Sequence, residues 1–116
     1  MKKRTLLFAG ILLFLSLGMM TQKAENLLNF DISPNPMGKY CEITLEFAEE
    51  TPITLTIMNE REEVIRTLFS GTVYKSMSLT WERDDALGNI APSGTYFVVV
   101  NCQSRYTSIK KTLILK

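Results

Sequence analysis

Strict alternation of apolar and polar residues marks the sequence from residue 41 onward and predicts β-strands. In Cys41–Phe47 the odd-numbered residues are apolar, and glutamate or threonine lies between them. This period of two is typical of a strand that buries one face. Residues 53–57, which are rich in β-branched side chains, and Ser76–Trp81 repeat the pattern. Residues 95–100 are apolar on both faces, as expected of a central strand, and residues 109–115 form a last extended run.

One segment, residues 60–69, is ambiguous, because Val64, Ile65 and Leu68 have the spacing of a helix. We predict a strand there, since the segment lies between strands and has no residue suited to cap a helix. Clusters of Pro, Gly, Asn and Asp separate the apolar runs and predict turns. About seven short strands with regular turns predict an all-β fold, an Ig-like antiparallel β-sandwich.

The N-terminus has the three parts of a secretory signal peptide. Residues 2–4 are basic, residues 6–17 are almost wholly apolar, and the small residues Ser16 and Gly18 occupy positions −3 and −1 of a cleavage site. We therefore predict a signal peptide over residues 1–18 and a mature chain that begins at Met19.

Two alternatives to this cleavage are less favoured. An uncleaved membrane anchor needs about 20 apolar residues, more than this run offers, and a cut after Ala24 would place Gln22 at position −3. Residues 19–28 are then predicted to form an N-terminal lead, and residues 29–116 one domain. The protein is expected to be exported to the periplasm, the outer-membrane surface or the extracellular space.

Charge and composition exclude several function classes. The chain has 13 Lys and Arg against 12 Asp and Glu. Since three of the basic residues leave with the signal peptide, the mature protein is slightly acidic, which excludes a nucleic-acid partner held by bulk charge. There is no histidine, which excludes an imidazole base or ligand. No cofactor and no metal are expected.

A serine–lysine pair is the one catalytic arrangement that the composition leaves open. A hydroxyl nucleophile needs a base beside it, and lysine could serve as that base. Ser104, Ser108, Lys110 and Lys111 cluster near the C-terminus. An exposed polar strand face explains these residues better, so we predict that the protein is not an enzyme.

Four motifs resemble those of a bacterial Ig-like family. Residues 34–37 resemble its PNPF opening, residues 62–68 its GRLVKTL strand and residues 110–116 its C-terminal KKMVLLK. Residues 81–97, the most specific block, are similar to its WDGRD…GN…SGTYF signature. The family includes the Ig-like domain of the flagellar hook-capping protein, the C-terminal sorting domain of the type IX secretion system and short secreted Ig-like proteins of unknown function. The resemblance implies an Ig-like fold and export.

The resemblance singles out five residues with structural roles, which are Trp81, Asp84, Gly88, Gly94 and Tyr96. A tryptophan that ends an alternating strand is expected to fill the core between two sheets. A glycine that turns the chain into the next strand tolerates unusual φ values, and a tyrosine two residues later is placed to bond with backbone as a corner tyrosine. Asp84, Asp85 and Asn89 are expected to form turns. A Ca²⁺ site built from their oxygens is the less favoured alternative, because no further carboxylate follows at a loop spacing.

The chain has two cysteines, and each falls on the apolar face of its strand. In an oxidising compartment Cys41 and Cys102 could form a disulfide between the sheets, comparable to the bridge of Ig domains. Two separate buried thiols are the alternative. The residue pattern leaves both open, because it does not reveal which strand ends align.

These features predict a secreted or periplasmic Ig-like interaction or structural module with no catalytic activity. Its expected partner is a protein or glycan of the cell envelope. The protein is expected to contact a membrane only through its signal peptide, before that peptide is cleaved. The alternative is a C-terminal-type sorting or assembly domain that is read by the type IX secretion machinery.

Overall fold

Seven β-strands and no helix make up residues 26–103 and 107–116, the part of the chain that the computed structural model describes. The strands are β1 (Leu27–Ser33), β2 (Cys41–Phe47), β3 (Thr51–Met58), β4 (Val64–Val73), β5 (Ser76–Trp81), β6 (Gly94–Cys102) and β7 (Thr107–Leu115). The predicted all-β class is confirmed. In these described ranges no helix is long and apolar enough to cross a membrane. The predicted signal peptide, residues 19–25 of the lead and Ser104 lie outside the described residues.

The strands form two antiparallel sheets with a shared core. One sheet has the order β1-β2-β5, and the other has the order β4-β3-β6-β7. Apolar side chains from both sheets meet in one cluster, which confirms the β-sandwich. Strand β2 illustrates the cause: its odd-numbered residues are buried and its glutamates are exposed, as the period of two requires. Strand β1 begins at Leu27, so the domain includes two residues that the sequence assigned to the lead.

The ambiguous segment, residues 60–69, contributes residues 64–69 to a strand, as predicted, while residues 60–63 lie before that strand. Strand β4 pairs with β3 along Val64–Val73, but the register shifts twice, between Leu55 and Thr56 and between Ile57 and Met58. Each shift is a bulge, an extra residue that interrupts the alternation of faces. The interruption gives Val64, Ile65 and Leu68 their helix-like spacing, because the segment does not keep a period of two.

Of the two arrangements that the residue pattern left open, the structure has the two separate buried thiols, and no bridge joins Cys41 to Cys102. Cys41 begins β2 opposite Trp81, whereas Cys102 ends β6 opposite Ile53. Because Phe47 and Thr51 are joined by a short turn, Ile53 lies near the far end of β2. The cysteines are therefore at opposite ends of the sandwich, separated by about 20 Å, roughly the length of a seven-residue strand. A disulfide requires Cα atoms within about 7 Å.

We expect both cysteines to be alkylated only after unfolding. Both are buried, and burial raises the pKa of the Cys41 thiol to about 11, so its reactive thiolate is scarce at neutral pH. Intact mass after alkylation should show no adduct on the native protein. In denaturant without reductant it should show an adduct on each of the 2 cysteines. A denatured chain that takes up alkylating agent only after reduction would contradict this arrangement.

Candidate functional site

Arg83 organises one end of the sandwich by joining three segments that are distant in sequence. Its Nε donates to the carbonyl oxygen of Ala91 at 2.8 Å, and Nη1 donates to that of Gly38 at 2.8 Å. Its Nη2 donates to the carbonyl oxygen of Lys116 at 3.0 Å. We call this region, formed by Gly38, Arg83, Ala91, Ser93 and Lys116, the Arg83 end. A planar guanidinium with five donors suits such a junction, because it satisfies several fixed carbonyl groups at once.

The backbone of Arg83 is in the left-handed region, with a φ of 68°. Residues other than glycine pay about 1–2 kcal/mol for this conformation. The WDGRD motif that residues 81–85 resemble has glycine at this position. The side-chain bonds of Arg83 to three carbonyl groups offset the cost that a glycine would avoid.

Trp81 is buried in the core at the Arg83 end. Only 1% of its surface is exposed, and its Nε1 donates to the carbonyl oxygen of Asp84 at 2.9 Å. The indole therefore fills the space between the sheets and also holds the first turn after β5. Cys41 lies directly opposite Trp81 on β2.

Two further residues of the signature, Gly94 and Tyr96, lie at the start of β6. Gly94 has a φ of 150°, which favours glycine because other side chains rarely adopt that conformation. The hydroxyl of Tyr96 donates to the carbonyl oxygen of Pro92 at 2.8 Å, so the ring ties β6 to the loop before it. Burial raises the pKa of Tyr96 above its usual value.

The long connection between β5 and β6 is stabilised by Asp85 rather than by Asp84. The Oδ1 of Asp85 accepts from the backbone N–H groups of Leu87 and Asn89, both at 2.9 Å. Gly88 turns the chain with a φ of 88°. Asp84 instead pairs with Arg66 at the start of β4. One carboxylate oxygen of Asp84 and one of Asp85, both considered for a Ca²⁺ site, thus have protein partners.

The Asp84–Arg66 pair makes the free energy of unfolding depend on pH in the acidic range. The hydrogen bond from Arg66 is the main reason that the pKa of Asp84 lies below its ordinary value of 3.8. A lowered pKa means that the ionised form stabilises the fold above the ordinary pKa, and that this contribution is lost as the pH falls through the lowered pKa. Both side chains are about one-third exposed, so solvent weakens the pair.

We therefore expect Asp84→Asn to flatten the acid limb of the stability curve. Wild-type unfolding free energy should fall between about pH 5 and pH 2, and the variant should lose less over that range because it has no carboxylate at residue 84 to protonate. Urea titrations at several pH values measure this. Asp31→Asn, which removes an exposed carboxylate from β1, is the matched control and should follow wild type. Equal pH profiles for all three proteins would contradict the role of the pair.

A cavity of about 450 Å³ opens beside Arg83. It is lined by Lys39, Tyr40, Glu82, Arg83 and Ile90. Two large apolar side chains at its rim are exposed to solvent, Tyr40 by 57% and Ile90 by 67%. Leu87, on the same connection, is also exposed. Clustered apolar groups at the surface with a few charges among them are typical of an interaction site.

The serine–lysine cluster is not assembled as a pair within the described residues. Ser108 bonds with the side chain of Asn101. The Nζ of Lys110 lies 3.8 Å from the Glu62 carboxylate. Lys111 points to the other face of β7, where its Nζ donates to the carbonyl oxygen of Phe30 at 2.7 Å.

Sequence reasoning missed the cavity and the role of Arg83. Arg83 was noticed only as part of a motif, and no prediction concerned Tyr40. A signal existed, because Leu87 and Ile90 are apolar residues inside a connection rich in turn formers. Apolar residues in a polar loop are candidates for binding.

Comparison with known proteins shows the fold. No protein-family profile matches the chain, and no curated protein matches it. Among solved structures, the chain is similar to part of dimeric latent PorU from Porphyromonas gingivalis, with a TM-score of 0.62 and 16% identity over 74% of this chain. It is also similar to part of PorZ from the same organism, with a TM-score of 0.55 and 18% identity over 76% of this chain.

Each likeness involves a small part of a much larger protein. This chain spans 9% of the PorU chain and 11% of the PorZ chain. PorZ is described as an essential bacterial surface component of the type IX secretion system. At these identities the comparison establishes a shared β-sandwich fold, and function has to be argued from the site.

Proposed function

We propose that this chain is an exported, non-catalytic Ig-like module of the cell envelope that binds a protein partner through the Arg83 end and works with the type IX secretion system. The observation that carries the proposal is the cavity beside Arg83, with Tyr40 and Ile90 exposed at its rim. The shared fold with a surface component of the type IX secretion system supports the cellular setting.

The Arg83 end suits binding because exposed residues sit on a rigid frame. Arg83 ties Lys116 to two loops, and Tyr96 anchors the start of β6. Loops held in this way lose little conformational entropy when a partner binds. Binding residues are commonly found on loops that a rigid scaffold positions.

The exposed side chains favour a protein over a glycan as the partner. Leu87 and Ile90 are aliphatic, and such side chains gain free energy mainly by burying apolar area. Tyrosine is enriched where proteins meet each other. Lys39 and Glu82 at the cavity supply the polar rim that gives such a contact its orientation.

Capture of partners from the native envelope tests this proposal. Mature wild-type protein, Tyr40→Ala and Ile90→Ser are compared by cross-linking and mass spectrometry of the captured proteins. Tyr74→Ala and Leu28→Ser are matched controls, because Tyr74 and Leu28 are 69% and 66% exposed at the opposite end of the sandwich. We expect the first two variants to lose at least about tenfold in capture, as a loss of about 1.4 kcal/mol implies, and the controls to keep it.

Equal capture by all four variants would exclude the Arg83 end as the binding surface. N-terminal sequencing of the exported protein tests the cellular location in the same preparation. It should show Met19 first, and a chain retained in the membrane with Met1 at its start would contradict export of a cleaved module.

A sorting or assembly signal is the second candidate function. Residues 110–116 resemble a C-terminal sorting motif. Residues 110–115 lie in β7 at the edge of its sheet, and the carbonyl oxygen of Lys116, just after β7, accepts from Arg83. A secreted reporter fused to residues 26–116 tests it. Delivery of the reporter to the cell surface, with processing near β7, would support sorting. Retention of the intact fusion in the periplasm would exclude it.

A further inference from the structure

Within residues 26–103 and 107–116 the sandwich has four edge strands, and three of them are protected against pairing with another chain. The edges are β1 and β5 in one sheet and β4 and β7 in the other. An unprotected edge exposes backbone donors and acceptors to any passing strand, so proteins cover, bend or charge their edges. An edge strand that lacks such protection is therefore a candidate for pairing with a strand of another chain.

Bulges and hydrogen bonds from other segments protect β1 and β4. Strand β1 has a register shift at its start, and its edge carbonyl at Phe30 accepts from Lys111. Strand β4 has two register shifts, and the backbone N–H of Ala86 donates to the carbonyl oxygen of Ile65 at 2.8 Å. Both edges are therefore bent and partly bonded.

The segment before β2 covers the edge of β7. The side chain of Asn35 bonds with the carbonyl of Thr112 and the N–H of Ile114, and the backbone N–H of Met37 donates to the carbonyl of Ile114. The rest of the strand carries Lys110 and Lys111, and lysines on an edge oppose pairing with another strand.

In the part of the chain that the structure describes, strand β5 has none of these protections. It pairs with β2 over its whole length without a register shift, and Ser76–Trp81 contains neither a charged residue nor proline. Within the described residues no backbone hydrogen bond outside the β2 ladder reaches Ser76, Ser78 or Thr80.

The register determines which backbone groups of β5 point outward. The N–H of Phe47 donates to the carbonyl of Lys75, which identifies odd-numbered residues of β5 as the ones bonded to β2, because hydrogen-bonded pairs alternate along an antiparallel ladder. The N–H and C=O groups of Ser76, Ser78 and Thr80 thus face away from the sheet. They form a straight row of donors and acceptors.

The order of side-chain types along β5 is the same from either end of the strand. From Ser76 to Thr80, hydroxyl and apolar side chains alternate, with Ser78 at the centre. An antiparallel copy centred on Ser78 places Ser78 opposite Ser78 of the second copy and Ser76 opposite Thr80. Met77 then lies beside Leu79 on the core face, where both are only partly buried. Lys75 precedes β5 and Glu82 follows it, so the two ends of the strand have opposite charges. In the antiparallel pair, Lys75 of one copy lies near Glu82 of the second copy.

We propose that two copies of this chain pair through β5 to form a two-fold dimer. The dimer has one continuous six-stranded sheet in the order β1-β2-β5-β5-β2-β1. Three features support a second copy as the occupant: the unprotected row of backbone groups, the self-complementary side chains and the opposite charges at the strand ends. This inference goes beyond the function proposed for the Arg83 end and does not depend on it.

Two measurements on the mature protein test the dimer. Sedimentation should show a dimer for wild type and a monomer for Ser78→Pro, whose dimerisation should weaken at least about 100-fold. The proline removes a donor that points away from β2, and edge strands tolerate proline at such positions. An unchanged circular dichroism spectrum checks the fold of this variant.

A cysteine variant provides a second test, which traps the proposed dimer by a disulfide and does not require breaking the β5 pairing. In the dimer the Cα atoms of the two Ser78 residues are about 5.5 Å apart, the spacing of a hydrogen-bonded antiparallel pair, which a disulfide spans. Ser78→Cys should therefore give a covalent dimer under mild oxidation. Ser70→Cys, an exposed position on the β4 edge, is the matched control and should not. A wild-type monomer at the highest attainable concentration, or equal cross-linking of both variants, would overturn the proposal.

Discussion

Replacing Trp81 with alanine should lower the free energy of unfolding by about 3–5 kcal/mol, the usual cost of truncating a buried aromatic side chain to alanine. The indole is 1% exposed and belongs to the core shared by both sheets. Its loss leaves a cavity and removes the donor to the Asp84 carbonyl. A domain of this size has about 5–10 kcal/mol in total, so the variant should be partly unfolded at 37 °C.

Two further substitutions separate the contributions of Trp81. Trp81→Phe keeps an aromatic ring in the core but loses the indole N–H and part of the buried volume, so a smaller loss of about 1–3 kcal/mol is expected. Tyr40→Ala removes an aromatic side chain that is 57% exposed and should leave the midpoint of urea denaturation unchanged. A wild-type midpoint for Trp81→Ala would mean that the indole does not support the core.

The second large effect is expected for Arg83→Ala, which should lower the free energy of unfolding by about 2–4 kcal/mol. The substitution leaves the carbonyl groups of Gly38, Ala91 and Lys116 without their donors. Hydrogen bonds to charged groups each contribute about 1.5–3 kcal/mol, but partial exposure of this region reduces their sum. Alanine also keeps the cost of a positive φ without the bonds that offset it.

Arg83→Gly is the informative control for this prediction. Glycine loses the same hydrogen bonds but accepts a φ of 68° without strain, so it should be more stable than Arg83→Ala by about 1 kcal/mol. Chemical denaturation of the three proteins measures both differences. Equal stability of wild type and Arg83→Ala would show that the guanidinium does not stabilise the contact with Lys116. Equal stability of the two variants would show that the positive φ costs no stability.

The strands could be predicted where one local pattern ran without interruption. Cys41–Phe47 and Ser76–Trp81 have the predicted bounds, because the alternation of side chains reports directly on a buried face. Strand β4 was harder, because its bulges break the alternation. The start of β1 was missed for another reason: Leu28 is exposed and gives no sign of its pairing.

The candidate site depended on contacts between distant residues. Arg83 reaches Gly38, 45 residues earlier, and Lys116, 33 residues later. A guanidinium near turn formers gives no local sign of such partners. The cavity is likewise formed by Lys39 and Tyr40 from one loop and Ile90 from another, and those loops meet only because both sheets end there.

The sequence alone determined the class of fold, the strands from residue 41 onward and the faces that those strands bury, because each follows from the period of apolar residues within a single strand. The tertiary structure alone decided how strands align. It separated Cys41 from Cys102, brought Arg83 to three backbone segments and left β5 as the edge without protection. Register and sheet order arise from pairing between strands far apart in the chain, and a pattern of period two is the same for every register that keeps the apolar face inward.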